Sequence, residues 1–185
     1  MSGFSKRGER LVHEGHVVTL VDATFVDPNG ESFEREVVHH PGAVSVVPVL
    51  DDGDTVVLVR QYRAAVETEL LEIPAGKLDI DGEAAQAAAA RELEEEVGYR
   101  AGRLEKLAEF YNSPGYCDER STVFLGLDLE PCELSAQGVE ERHMTIERIS
   151  LSDVPAMVAD GYLLDAKTII GLALARGRLH TLRRR

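Results

Sequence analysis

This chain predicts an α/β fold in which helices lie on a mixed β-sheet. Three observations predict it. Valine-rich runs with strand character crowd the first half, one alanine-rich stretch reads as a long helix, and apolar helical patterns close the chain.

The elements follow in order. Residues 1–15 are polar and read as a loose lead. His16 to Phe25 reads as a strand, with Val17, Val18, Leu20, Val21 and Phe25 as its apolar content. Pro28-Asn29-Gly30 signals a turn, and Ser32 to His40 a second strand, so the pair reads as a hairpin with a turn longer than the two-residue ideal. Ala43 to Leu50 and Thr55 to Tyr62, separated by Asp51-Asp52-Gly53-Asp54, are dense enough in valine to lie deep in a sheet. Glu69 to Ile73 is a short strand that ends at Pro74.

Glu83 to Val97 is the strongest helix, rich in alanine and stopped by Gly98. At about 100° per residue, Gln86, Ala89, Ala90, Leu93 and Val97 share a face that should pack on the sheet. Arg103 to Phe110 and Ser121 to Leu129 read as further strands, joined through the loop Asn112-Ser113-Pro114-Gly115-Tyr116. Pro131 to Gly138 is irregular, Met144 to Ile149 extended, Leu151 to Ala159 a short helix and Asp165 to Arg176 a longer one. No repeat or linker interrupts the chain, so residues 1–185 read as a single domain with a core over 41–177 and a basic tail over 178–185.

The net charge of -13 repels nucleic acid and anionic membranes, and no basic stripe with interleaved aromatics offsets it. No run approaches the roughly 18 apolar residues of a membrane span. Cys117 and Cys132 form neither a disulfide framework nor a CxxC pair, and Met1 to Arg10 lacks the apolar stretch of a signal peptide. A reducing, cytoplasmic setting is the default expectation. His39, His40 and His143 are not spaced as a metal cluster, Cys117 has no Cys-His arrangement, and Gly76-Lys77 is not a phosphate-binding P-loop.

The chemistry concentrates in Arg91-Glu92-Leu93-Glu94-Glu95-Glu96-Val97-Gly98. Spacings of three and four place Glu92, Glu95 and Glu96 on one patch of the helix, where they repel until a cation joins them. All-oxygen ligands suit Mg²⁺ or Mn²⁺. Arg91 can pair with Glu95 one turn on, and Glu83, nearly opposite Glu92 on the wheel, reads as structural.

The segment Gly76 to Tyr99 resembles the Nudix box of the Nudix hydrolases. Glu83 to Arg91 keeps the seven-residue spacing, and Arg91 to Gly98 matches throughout. Two departures exist: six residues rather than five separate Gly76 from Glu83, and Tyr99 replaces an aliphatic. The resemblance implies a Nudix α/β/α sandwich. It makes Glu92, Glu95, Glu96 and the Ala75 carbonyl the ligands of Mg²⁺, with Mn²⁺ an alternative, and Gly76, Glu83, Arg91 and Gly98 their support. Val59 to Arg63, Glu69 to Gly76, and Pro114 placed sixteen residues beyond Gly98 are similar to the ADP-ribose pyrophosphatase branch. That branch implies a homodimer exchanging the strands of residues 16–40. It implies substrate contacts from Arg60, Arg63, Glu72, Pro114, Gly115 and Tyr116, and a late-loop glutamate serving the water. Glu140 and Glu141 both fit that last role, Glu141 being favoured. The expected reaction is Mg²⁺-dependent hydrolysis of ADP-ribose to AMP and ribose 5-phosphate. The alternatives are another nucleotide sugar or dinucleotide as substrate, or a noncatalytic nucleotide-sensing module.

Overall fold

The computed structural model describes residues 3–134 and 141–183. The chain divides into two compact units, Met1–Gly42 with Tyr111–Arg120, and Ala43–Phe110 with Ser121–Arg185.

The first unit is a three-stranded antiparallel sheet of β1 (Ser5–Glu14), β2 (Thr19–Val26) and β3 (Ser32–His39), with β2 in the centre. β2 and β3 form the expected hairpin. Its turn is built by Asp27, whose side chain accepts from the Asn29 and Glu31 N–H groups at 2.8 and 2.7 Å, and by Gly30 at φ +89°. β1 corrects the reading of residues 1–15 as a loose lead. Every residue of β1 is exposed, so no buried face leaves an apolar alternation to read. The strand exists because β2 offers a ladder, paired from Ser5↔Val26 to Glu14↔Thr19, with the Arg10–Asp22 ion pair across it.

In the second unit, a four-stranded sheet has the order β7 (Ala75–Lys77), β4 (Ala43–Pro48), β9 (Arg120–Pro131), β8 (Tyr99–Tyr111). A three-stranded sheet has the order β10 (Thr145–Ser150), β5 (Thr55–Arg63), β6 (Thr68–Glu72). The two valine-rich runs are buried strands, as expected, but each is central to a different sheet. β4 runs parallel to β9 and antiparallel to β7, which makes its sheet mixed. Alternation along the strands supplies two cores. Val47, Val49, Val56, Leu58, Val123 and Leu125 join Leu163, Leu172 and Ala175 in one, whereas Val44, Val46, Val57, Val59 and Phe124 join Ala88, Ala89, Leu93 and Val97 in the other. Helix α1 (Ala85–Val97) therefore covers one face, and helices α2 (Val154–Ala159) and α3 (Ala166–Leu182) serve the opposite one. Gly171 lets α3 approach closely: a Cβ there would stand 3.0 Å from both Ile73 and Val47. Among the described residues no helix is long and apolar enough to cross a membrane.

α1 begins at Ala85 rather than Glu83, because Gly82 is left-handed at φ +78° and Ala84 is extended. Gly98 ends it as expected, in the left-handed region at φ +66°. The inward face is turned from the one expected. Gln86 is exposed and Ala90 half-buried, whereas Ala88 is buried together with Glu92 and Glu96. The small Ala88 and Ala89 side chains let the helix settle on this side, and they carry two carboxylates inward with them.

Candidate active site

β7 is the free edge of its sheet, and α1 lies beside it. The Pro74 carbonyl accepts from the Val46 N–H at 3.0 Å, so ladder alternation turns the peptide groups of Ala75 itself off that edge. Its N–H there donates to Glu96 Oε2 at 2.9 Å. Gly76 is next. A Cβ at this position would fall 2.0 Å from the carboxyl of Glu92, so only glycine leaves room for that carboxylate against the strand.

Arg91 gathers the remaining acids. Its Nη1 donates to Glu92 at 2.7 Å and to Glu95 at 3.0 Å, and its Nε and Nη2 donate to Glu83 at 3.2 and 3.3 Å. Glu83 belongs to this group although the wheel set it opposite Glu92, because it precedes the helix and is free of helical geometry. The hydrogen bonds Arg91 donates to Glu83 and the charges of Glu92 and Glu83 raise the Arg91 pKa far above its ordinary value. Three carboxylates on one guanidinium sum to a charge of minus two, and Glu96 makes it minus three. Among the described residues no three Asp, Glu, His or Cys side chains are already gathered as a metal cage. Arg91 and the Ala75 N–H hold these carboxylates instead. The donor set nevertheless fits a hard divalent cation: it is all oxygen, strongly negative, and cradled where Gly76 lacks a side chain.

Arg60 and Arg63, both expected at the substrate, point to opposite faces of β5, because three residues is an odd number of strand steps. Arg60 lies on the Leu58 face. It meets Glu147 of β10 at 2.5 Å, donates to the Tyr162 hydroxyl at 2.6 Å and stands over the Tyr162 ring. Arg63 reaches along the other face to Glu72, with two hydrogen bonds of 2.7 and 2.6 Å. Its charge is also felt by Glu96. Glu72 is fully buried and receives Lys167 as well. Burial alone would push its pKa up, but Arg63 and Lys167 outweigh burial and hold it below the ordinary carboxylate value.

Pro114, Gly115 and Tyr116 belong to the first unit. They border a cavity of about 430 Å³ lined also by Phe25, Phe33 and Arg35. Phe25 and Phe33 stack at 5.6 Å, the Arg35 guanidinium lies 4.8 Å from the Phe33 ring, and Tyr116 is 61% exposed. Glu140 lies outside the described residues. Glu141 opens a one-turn 3-10 helix, Glu141–His143, just before β10.

Residue-by-residue reading missed two features. Gln61 shares the Arg63 face of β5, is 6% exposed, and its Nε2 has no hydrogen-bond partner among the described residues. The period of two that separates Arg60 from Arg63 would have found it. Lys167 and Thr168 lie within the stretch Asp165 to Arg176 that reads only as a helix, and Asp165 followed three residues later by Thr168 is its helix-start signal.

The family described as the NUDIX domain matches residues 39–168. An ADP-ribose pyrophosphatase of Bacillus subtilis (strain 168) is 40% identical over 157 residues, covering 85% of this chain and 84% of that protein. An ADP-ribose pyrophosphatase of Mycobacterium tuberculosis is 33% identical, covering 91% and 81%. A solved ADP compounds hydrolase superposes with a TM-score of 0.84 at 26% identity, covering 98% of this chain and 97% of its own. A matched domain model over most of the chain, relatives alike along nearly their whole length and a box whose glycine and carboxylates interlock place this chain in the Nudix family.

Proposed function

We propose that this Nudix hydrolase splits the pyrophosphate of ADP-ribose, giving AMP and ribose 5-phosphate, with Mg²⁺ as its metal and Mn²⁺ as a substitute. The observation that carries this reading is the charge imbalance around Arg91, set where the Gly76 position leaves space for a carboxylate. The two ADP-ribose pyrophosphatases and the ADP compounds hydrolase support the choice of substrate.

Glu92, Glu95, Glu96 and the Ala75 carbonyl are the residues we assign to hold the metal. Divalent ions supply Lewis-acid polarisation of the pyrophosphate and offset its negative charge. Arg91 orients Glu92 and Glu95 between turnovers and limits their repulsion. Glu141, or Glu140, takes the proton of the attacking water, which a carboxylate ionised at neutral pH can do. Tyr116 and the Phe25–Phe33 stack offer the aromatic faces that a purine accepts. Arg63 is assigned to the phosphates by its charge, although Glu72 holds its fork in this structure. Arg60 and Glu72 retain only the resemblance as support for substrate contact.

We read the whole chain as one functional domain and a homodimer. Exposed Leu11 and Val12 on β1, and Val17 and Val18 beside it, support association through that sheet. Two free cysteines suit the cytoplasm.

The test is incubation with ADP-ribose and Mg²⁺, with and without EDTA, followed by chromatography of the products. AMP and ribose 5-phosphate that vanish with EDTA bear the reading out. Equal rates with ADP-glucose, GDP-mannose and NADH would remove the ADP-ribose assignment, and a silent panel would remove hydrolysis.

A further inference from the structure

The connection from β6 to β7, which ends at Ala75, is gripped from the far end of the chain. Four consecutive residues each have a polar group held by a different partner. The Glu72 carboxylate receives Arg63 and Lys167. The Ile73 N–H donates to Thr168 Oγ1 at 2.9 Å. The Pro74 carbonyl accepts from Val46, and the Ala75 N–H donates to Glu96. Lys167 and Thr168 both stand in the first turn of α3, and Thr168 lies 95 residues from Ile73 in sequence.

Their own placement is fixed in turn. Asp165, the N-cap of α3, accepts from the Thr168 N–H at 2.9 Å and from its hydroxyl at 2.6 Å, which aims the hydroxyl lone pairs at Ile73. Asp165 also meets Lys167 at 3.0 Å. Ile73 and Thr168 are both fully buried, so no water can replace the hydroxyl. Pro74, with its locked φ, stands between Ile73 and Ala75. The link from Ile73 to Ala75 therefore has one soft dihedral fewer through which to absorb a displacement of Ile73.

We infer that Lys167 and Thr168 are positioning residues for the metal site: through Glu72 and Ile73 they set where Ala75 stands against Glu96. The inference rests on the metal reading given above. The Nudix box lies entirely outside α3, so the site depends on a helix that its signature does not contain.

The test is Mn²⁺ titration of the full chain, reading the free ion by electron paramagnetic resonance, at a temperature where circular dichroism shows every variant folded. Thr168→Val and Lys167→Met should each weaken Mn²⁺ binding by about tenfold, the scale seen when partners behind a metal ligand are lost. Thr168→Ser and Lys167→Arg should recover it. Leu182→Ala, which loosens the far end of the same helix from the core, should bind Mn²⁺ as the wild type does. A folded Thr168→Val with unchanged Mn²⁺ affinity overturns the inference, as does an equal loss in Leu182→Ala. A wild type that binds no Mn²⁺ overturns the metal reading itself.

Discussion

Two groups of carboxylates lie on either side of Ala75, and they are balanced differently. Glu72 and Asp165 face Arg63 and Lys167, two negative charges against two positive, around a fully buried carboxylate. Glu83, Glu92 and Glu95 face Arg91 alone, three against one, with Glu92 buried but Glu83, Glu95 and Arg91 only half-buried. The first group is neutral, which is the condition for keeping charges in a protein interior. The second tolerates an excess of negative charge because water still reaches it, and that excess is what a divalent cation can use. On our assignment, the difference separates acids that hold the fold from acids that hold the metal, although both kinds lie on either side of Ala75.

The largest effect expected comes from upsetting the balanced group. Glu72→Gln leaves Arg63 and Lys167 around a neutral amide, and should cost about 3–5 kcal/mol in urea unfolding. A loss under about 1 kcal/mol would mean that the buried charges carry no structural burden. The unbalanced group should respond the other way. Glu92→Gln should lower kcat by about a hundredfold to a thousandfold. Its stability should stay the same or rise, since one like-charge repulsion on α1 is relieved. Near-normal turnover at saturating Mg²⁺ would break the contrast.

Gly76→Ala probes the boundary between the groups. The new methyl meets the Glu92 carboxyl, so the carboxylate must move. Mn²⁺ affinity should fall by about tenfold with the fold retained, as calorimetric titration would show.

The last effects are those of pH, and they have opposite signs in two places. The Glu72 pKa is lowered in the folded protein, so its contribution is present above the ordinary value of 4.5 and is lost as pH falls through the lowered one. His39 bridges Asp118 at 2.5 Å and Glu9 at 3.0 Å, and the Asp118 hydrogen bond above all raises its pKa. Its contribution is complete below the ordinary value of 6.5 and is lost as pH rises through the raised one. Melting curves of the wild type against Glu72→Gln should therefore converge in acid, and those against His39→Gln should converge in mild base. Convergence at the same end of the scale would contradict one of the two assignments.

The sequence by itself determined the box, the helix that displays it and most of the strands. Local spacing encodes these: alanines favour helix at Ala85–Val97, Gly98 permits the left-handed stop, and valines alternate between two cores on β4 and β5. Three things were decided only by tertiary structure. β1 has no buried face and exists through its ladder with β2. Arg60 and Arg63 look alike in sequence, yet Arg60 is taken by Glu147 and Tyr162 while Arg63 is taken by Glu72, because a strand shows alternate residues to opposite faces. Lys167 and Thr168 carry no sign of the site in their neighbours. Their partners Glu72 and Ile73 are brought to them by packing, and a contact between residues so far apart in the chain leaves no local pattern to read.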